Sequence, residues 1–206
     1  MRRSSVMSIR RSFSTAAAAV VVAAIGIAAA GSWALAQQGA AKADQGWTTY
    51  ADPRTGFSFA YPSQTFVPHP KDPTDGLAAK TAARSGVTFV SRDGKAWFQA
   101  AAYANTERLT LAIYRSRMLT RSYADARVTF ERTTPEFVIV SGLRGGTEFY
   151  ERVVFSCDGR VVNFWLLTYP AAENAIYDRI VEEVARTFRP VSGRDRCATL
   201  TEPLVR

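Results

Sequence analysis

The stretch Thr147–Tyr169, TEFYERVVFSCDGRVVNFWLLTY, decides how this chain folds. Its two apolar runs flank Asp158-Gly159, and an Asp-Gly pair in that position favours the two-residue turn of a β-hairpin, in which both turn residues adopt positive φ. That turn sets the register across the hairpin: Cys157 with Arg160, Phe155 with Val162, Val153 with Phe164, Arg152 with Trp165 and Tyr150 with Leu167. Because apolar residues occur on both faces, we expect this hairpin to be central and covered on both sides.

Shorter hairpins and two helices surround the long hairpin. Alternating patterns and turn residues predict further strands, at Trp47–Ala51, Gly56–Tyr61, Val87–Val90, Ala96–Tyr103, Arg127–Arg132 and Phe137–Ser141. Apolar stripes at helical spacing predict one helix from Thr106 to about Arg121, capped by Asn105 or Thr106, and another from Pro170 to Phe188. Prolines make Pro62–Gly76 a predicted loop. The pattern is that of an α+β domain, with a central antiparallel sheet built from hairpins, flanking helices and the last helix packed on the sheet.

The chain has only two cysteines, Cys157 and Cys197, and the predicted backbone path brings them together. The strand leaving the turn runs about 33 Å at 3.3 Å per residue. The last helix returns about 25 Å at 1.5 Å per residue, and the tail after Phe188 covers the rest. We therefore predict a Cys157–Cys197 disulfide that attaches the tail to the hairpin tip. It closes a loop of about 40 residues, which is worth at most roughly 4 kcal/mol. A redox-active pair is disfavoured, because the sequence has no Cys-x-x-Cys motif.

Residues 1–36 have the three-part layout of a bacterial secretory signal peptide. A leader with four arginines and no acid precedes an apolar Ala/Val/Ile run, and Ala34-Leu35-Ala36 forms a small-x-small cleavage motif. We expect cleavage after Ala36, a linker at 37–46, and a single domain at 47–206 that is periplasmic or secreted. Two alternatives stay open. Arg10-Arg11-Ser12-Phe13 resembles the core of a twin-arginine signal, and Ala16–Ala36 is long enough to remain as an inner-membrane anchor.

The charge of the mature chain is modest. Removing the leader takes away four arginines and no acidic residue, so the formal net charge falls from +8 to +4. A domain of this charge outside the cytoplasm is not expected to bind nucleic acid, and the charge alone does not argue for binding to anionic lipid.

No stretch of the sequence carries a catalytic signature. His69 is the only histidine and lies between two prolines, and no serine or cysteine has an elbow motif. Asp72–Gly76 matches a calcium loop poorly, and there is no phosphate loop or dinucleotide fingerprint. Glu148 and Glu151 point to opposite faces of their strand, so we expect surface or edge charges. The prediction is no catalytic residue, no cofactor and no metal site.

Basic residues on the middle helix form a candidate partner surface, namely Arg108, Arg115, Arg117 and Arg121. They suit an anionic partner, and the alternative interpretation is a solvated helix face. The loop Pro62–Gly76 is a second candidate contact. Arg152, opposite Trp165, predicts a cation–π pair that helps to hold the sheet.

Two motifs resemble a known family. They are Gly56-Phe57-Ser58-Phe59-Ala60-Tyr61-Pro62 and a late pattern that joins Tyr169-Pro170, Tyr177-Asp178-Arg179-Ile180-Val181 and Phe188-Arg189-Pro190. The pattern resembles exported bacterial domains of the PsbP-like type, and also alphaproteobacterial envelope proteins of unknown function. The resemblance implies a central antiparallel sheet with packed helices, in proteins that bind or assist assemblies more often than they catalyse. It implies no functional residue, and the two cysteines are not part of it.

These features together predict an exported, non-enzymatic envelope module that binds a protein or polymer partner. The alternative is a small-ligand carrier, or a hydrolase with an unrecognised site. A deep pocket with converging polar groups would favour the alternative.

Overall fold

The computed structural model describes residues 46–70 and 84–201. Within them, a two-stranded hairpin and a seven-stranded antiparallel sheet combine with helices in the predicted α+β architecture. The strands are β1 (Trp47–Ala51), β2 (Ser58–Pro62), β3 (Phe66–His69), β4 (Arg84–Ser91), β5 (Trp97–Ala104), β6 (Arg127–Thr133), β7 (Phe137–Arg144), β8 (Thr147–Ser156) and β9 (Val161–Pro170). The helices are α1 (Leu111–Arg117), continued by a π-helical turn (Met118–Ser122), then a 3-10 turn (Ala171–Glu173), α2 (Asn174–Thr187) and α3 (Arg194–Thr201).

The large sheet has the strand order β3-β4-β5-β9-β8-β7-β6, and β1 pairs with β2 separately. Three sequence predictions lie outside the described residues: the signal peptide 1–36, the linker 37–46 except its last residue, and the calcium-loop candidate Asp72–Gly76.

The β8–β9 hairpin is central, and its register is the predicted one: Phe155 with Val162, Val153 with Phe164, Arg152 with Trp165 and Tyr150 with Leu167. Asp158 and Gly159 have φ values of 57° and 75°, as the two-residue turn requires. The backbone at Cys157 is also in the left-handed region, with a φ of 55°. That conformation costs a non-glycine residue roughly 1–2 kcal/mol.

Two separate cores cover the two faces of the sheet, as the apolar pattern of the hairpin predicts. One core surrounds Trp165, which is fully buried, and contains residues of β1, β2, α2 and α3. The other core surrounds Phe164 and contains Tyr114 and Met118 from α1 and the π-helical turn. Burying both faces of the same strands removes most of the central sheet from water, which is the main stabilising term of the fold.

The middle helix begins later than predicted. The backbone at Arg108 is left-handed (φ 52°), and the Asn105 side chain bonds both the N–H and the carbonyl of Leu109, so this segment is a tight loop. Thr110 is the N-cap, and its hydroxyl accepts from the Ile113 N–H. The predicted caps, Asn105 and Thr106, therefore precede a helix that starts at Leu111. A local side-chain bond to the backbone competes with the helix here.

The predicted loop Pro62–Gly76 is wrong in part, because it contains β3. Phe66 anchors this strand and is only 2% exposed. Pro68 is compatible with a strand because β3 lies at the edge of the sheet, where one side of the backbone needs no ladder partner.

The last two helices follow the central hairpin. The predicted stripe of α2 is buried at Tyr177, Ile180, Val181 and Val184, whereas Ile176 is 55% exposed. The tail after Pro190 forms α3, a helix that the sequence pattern did not predict. Within residues 46–70 and 84–201, no helix combines the length and the apolar character needed to cross a bilayer.

Candidate functional site

A cleft of about 730 Å³ opens at the tip of the β8–β9 hairpin. Three segments form its walls: the end of β5 with the loop that follows it (residues 104–108), the hairpin turn (residues 157–160) and α3 with the preceding Gly193. We call this site the basic cleft. It lies beside the Asp158-Gly159 turn.

Asn105 links the loop after β5 to the hairpin turn through hydrogen bonds. It is 5% exposed, and its side-chain amide donates to the carbonyls of Gly159 (2.8 Å) and Leu109 (2.9 Å). Its backbone N–H donates to the carbonyl of Arg160 at 2.7 Å. Because these groups are bonded to each other, the loop and the turn form one preorganised wall.

The disulfide links α3, the third wall of the cleft, to the hairpin turn. Cys157 and Cys197 are bonded, with their Cα atoms 5.8 Å apart, so the predicted pairing is present. Cys197 lies in α3, whose other buried residue is Leu200. The bridge therefore fixes α3, and with it Arg194, against the hairpin tip.

The side chains that line the basic cleft carry a net positive charge. Arg108, Arg160 and Arg194 line it, and Asp158 is the one carboxylate in its lining. The Asp158 side chain is 96% exposed and lies 3.8 Å from the Arg160 guanidinium, so it screens the cleft weakly. In the part of the chain that the structure describes, no carboxylate pairs with Arg108 or Arg194.

The four arginines of the predicted partner surface do not form a single binding surface. Arg115 is bonded to Glu131, and Arg117 lies 2.6 Å from Glu107, so both have carboxylate partners within the protein. Arg121 is exposed in the π-helical turn, away from the cleft lining.

Only Arg108 of the four predicted arginines lines the basic cleft, where it joins Arg160 and Arg194. Arg160 and Arg194 were not predicted as site residues from the sequence. Each lies three residues from a cysteine of the predicted disulfide, Arg160 after Cys157 and Arg194 before Cys197, and that spacing was the available signal.

Glu148 and Glu151 point to opposite faces as predicted, but Glu151 is not a surface charge. It is 8% exposed, and the Tyr123 hydroxyl donates to it. Nearby, the hydroxyls of Tyr103 and Tyr114 share a 2.5 Å hydrogen bond, and burial raises the pKa of both. Burial, and then the neighbouring Asp178, raise the pKa of Glu148 on the other face. Strand alternation identified the faces, but it could not show that Tyr123, the residue after the π-helical turn, bonds to Glu151.

Arg152 forms its cation–π interaction with a different aromatic ring from the predicted Trp165. The Arg152 guanidinium lies over Phe137 on the neighbouring strand, 4.5 Å from the ring centroid, and it donates to the Ala185 carbonyl at 3.1 Å. Trp165 instead stacks on Tyr150, with ring centroids 5.0 Å apart. Arg152 still helps to hold the sheet, through β7 and α2.

His69 packs edge-on against the Trp97 ring, with centroids 4.9 Å apart. Among residues 46–70 and 84–201, no three side chains of histidine, cysteine, aspartate or glutamate are grouped closely enough to hold a metal ion.

The sequence matches no known protein-family profile and no curated protein. The fold is similar to the solution structure of cyanobacterial PsbP (CyanoP) from Synechocystis sp. PCC 6803, with a TM-score of 0.50, 13% sequence identity, and coverage of 70% of this chain and 92% of that chain. A crystal structure from Bacteroides thetaiotaomicron VPI-5482 aligns with a TM-score of 0.38 and 15% identity, over 70% of this chain and 48% of that chain. The first similarity supports a PsbP-like fold.

Proposed function

We propose that this protein is an exported, non-enzymatic module that binds an anionic group of an envelope protein or polymer in the basic cleft. The observation that carries the proposal is the lining of the cleft, where three arginines face one exposed carboxylate. The signal-peptide layout of residues 1–36 supports a site of action outside the cytoplasm.

The side chains of the cleft suit binding more than catalysis. They supply guanidinium groups, the hydroxyls of Thr106 and Thr201, and a disulfide, but no histidine or free thiol to act as a base or nucleophile. Guanidinium groups bind carboxylates and phosphates through two parallel hydrogen bonds, and they remain charged at every physiological pH.

The test is a crosslinking pulldown of the tagged protein from intact cells, with partners identified by mass spectrometry. The test variant combines Arg108→Ala with Arg194→Ala. The matched control combines Arg121→Ala with Arg179→Ala, which removes the same charge at exposed sites outside the cleft. We expect a recurrent partner that the control retains and the test variant loses. Equal recovery with both variants would rule out the basic cleft as the contact.

The size of the cleft favours a second candidate, a carrier of a small anionic ligand. Its volume of about 730 Å³ lies within the range of small-molecule sites. Native mass spectrometry of the protein isolated from the periplasm distinguishes the two functions. A bound small molecule that the Arg108 and Arg194 variant lacks would support the carrier, and a ligand-free protein would support the partner-binding module.

A further inference from the structure

We infer that the basic cleft binds an acidic peptide segment of a protein partner, in which carboxylate side chains alternate with apolar ones. The inference rests on the proposed function, because it names the chemistry of the ligand for the same site. It is drawn from the size of the cleft, the placement of its charges and the character of its remaining lining.

The cleft is too large for a single inorganic anion. Its volume of about 730 Å³ is in the range of sites that enclose whole small molecules of roughly 300–1,000 Å³. A lone phosphate or carboxylate would leave most of this space wet, so the size indicates a ligand with several groups.

The charges are distributed among the three walls. Arg108 comes from the loop after β5, Arg160 from the hairpin turn and Arg194 from the start of α3. The Arg160 Nε donates to the Cys157 carbonyl at 3.0 Å, which orients its guanidinium before any ligand arrives. Positive charges on three walls suit a ligand that carries more than one carboxylate along its length.

The remaining lining includes an apolar part. The disulfide between Cys157 and Cys197 lies with Ala104 and Ala198 in the same cleft. A polyphosphate chain has anionic groups but nothing apolar to cover this surface. An acidic peptide has both, because a leucine-type side chain can contact the disulfide while its neighbours reach the arginines.

The test measures direct binding to the purified mature protein by fluorescence anisotropy. The probe is a labelled peptide of alternating glutamate and leucine. The comparison ligands are the same peptide with glutamine in place of glutamate, and inorganic polyphosphate. The Arg108→Ala, Arg194→Ala variant and the Arg121→Ala, Arg179→Ala control are titrated in parallel, and circular dichroism checks that both are folded.

We expect the glutamate peptide to bind the wild type and the control alike, and the cleft variant to bind at least roughly tenfold more weakly, as the loss of charged contacts predicts. The glutamine peptide should bind much more weakly than the glutamate peptide. If polyphosphate binds through the cleft and the glutamate peptide does not, the inference is overturned and the proposed function stands. If no anionic ligand binds, both are overturned. Equal binding of the peptide by both variants would overturn the inference by showing a contact outside the cleft.

Discussion

The Cys157–Cys197 bridge should stabilise both the fold and the basic cleft, and the magnitude follows from the structure. Its sequence separation is 40 residues. A loop of this length predicts about 4 kcal/mol of stabilisation in the chain-entropy model. The double variant Cys157→Ser, Cys197→Ser should therefore lower the free energy of unfolding by about 2–4 kcal/mol, with the chain-entropy value as the upper end.

Removing the bridge should destabilise α3 more than it destabilises the central strands. In α3 only Cys197 and Leu200 are buried, whereas the β8–β9 hairpin lies in the middle of the sheet between two cores. Without the bridge, α3 should exchange its amide hydrogens rapidly while β8 and β9 remain protected. Because α3 carries Arg194, the affinity for an anionic ligand should fall as well.

Urea unfolding measures the free energy, and hydrogen exchange with mass spectrometry measures the protection of each segment. Wild-type protein treated with a reductant is the matched control, because it breaks the bond and leaves both side chains in place. Free energies that agree within about 0.5 kcal/mol between oxidised and reduced protein would refute the stabilising role. Unchanged protection of α3 in the serine variant would refute the idea that the bridge holds this wall.

Three further predictions concern the sheet and its turns. Asp52, in the turn between β1 and β2, accepts buried hydrogen bonds of 2.7–2.8 Å from the N–H and hydroxyl of Thr55 and from the hydroxyl of Ser85. Asp52→Ala should therefore lower the free energy of unfolding in urea by about 3 kcal/mol, and the exposed Glu182→Ala by less than about 0.5 kcal/mol. Equal losses would contradict the stabilising role of these hydrogen bonds. A Cβ at Gly142 would lie 2.8 Å from the Val128 Cα in β6 and closer still to the Arg127 carbonyl oxygen, so Gly142→Ala should expose β6 to hydrogen exchange. Gly146→Ala, which has open space around the added Cβ, should not. Burial, and then Asp52, raise the pKa of Tyr50 from 10.0 to about 12. The unfolded chain loses this proton first, so between about pH 10 and pH 12 the free energy of unfolding should fall more steeply in the wild type than in Tyr50→Phe, and equal slopes would count against this effect.

The elements that were predicted well are those in which local chemistry and the apolar pattern agree. The Asp158-Gly159 turn requires positive φ at both positions, so it set the register of β8 and β9 without any tertiary information. The stripe of α2 predicted its buried face except at Ile176. The disulfide followed from the lengths of these two elements, since a strand and a returning helix leave little freedom for the tail.

The elements that were missed depend on contacts between segments distant in sequence. Proline favoured a loop at β3, but pairing with β4 and burial of Phe66 make it an edge strand. The helix predicted from Thr106 begins at Leu111. The Asn105 side chain donates to the hairpin turn, and this hydrogen bond holds the preceding loop in a non-helical conformation. The apolar pattern of α3 is weak. The face that packs on the protein is known only from the burial of Cys197 and Leu200 in the structure.

The sequence by itself determined the central hairpin and the two-sided sheet, because each depends on short-range patterns of residue type, and the lengths of the elements between the cysteines determined their pairing. The tertiary structure decided which arginines act together. It paired Arg115 and Arg117 with carboxylates of the protein, and it brought Arg108 to Arg160 and Arg194 at the hairpin tip. Charges far apart in sequence become one site only after the sheet, the loop and the disulfide fix their positions, because electrostatic interactions depend on distance in space and not on separation along the chain.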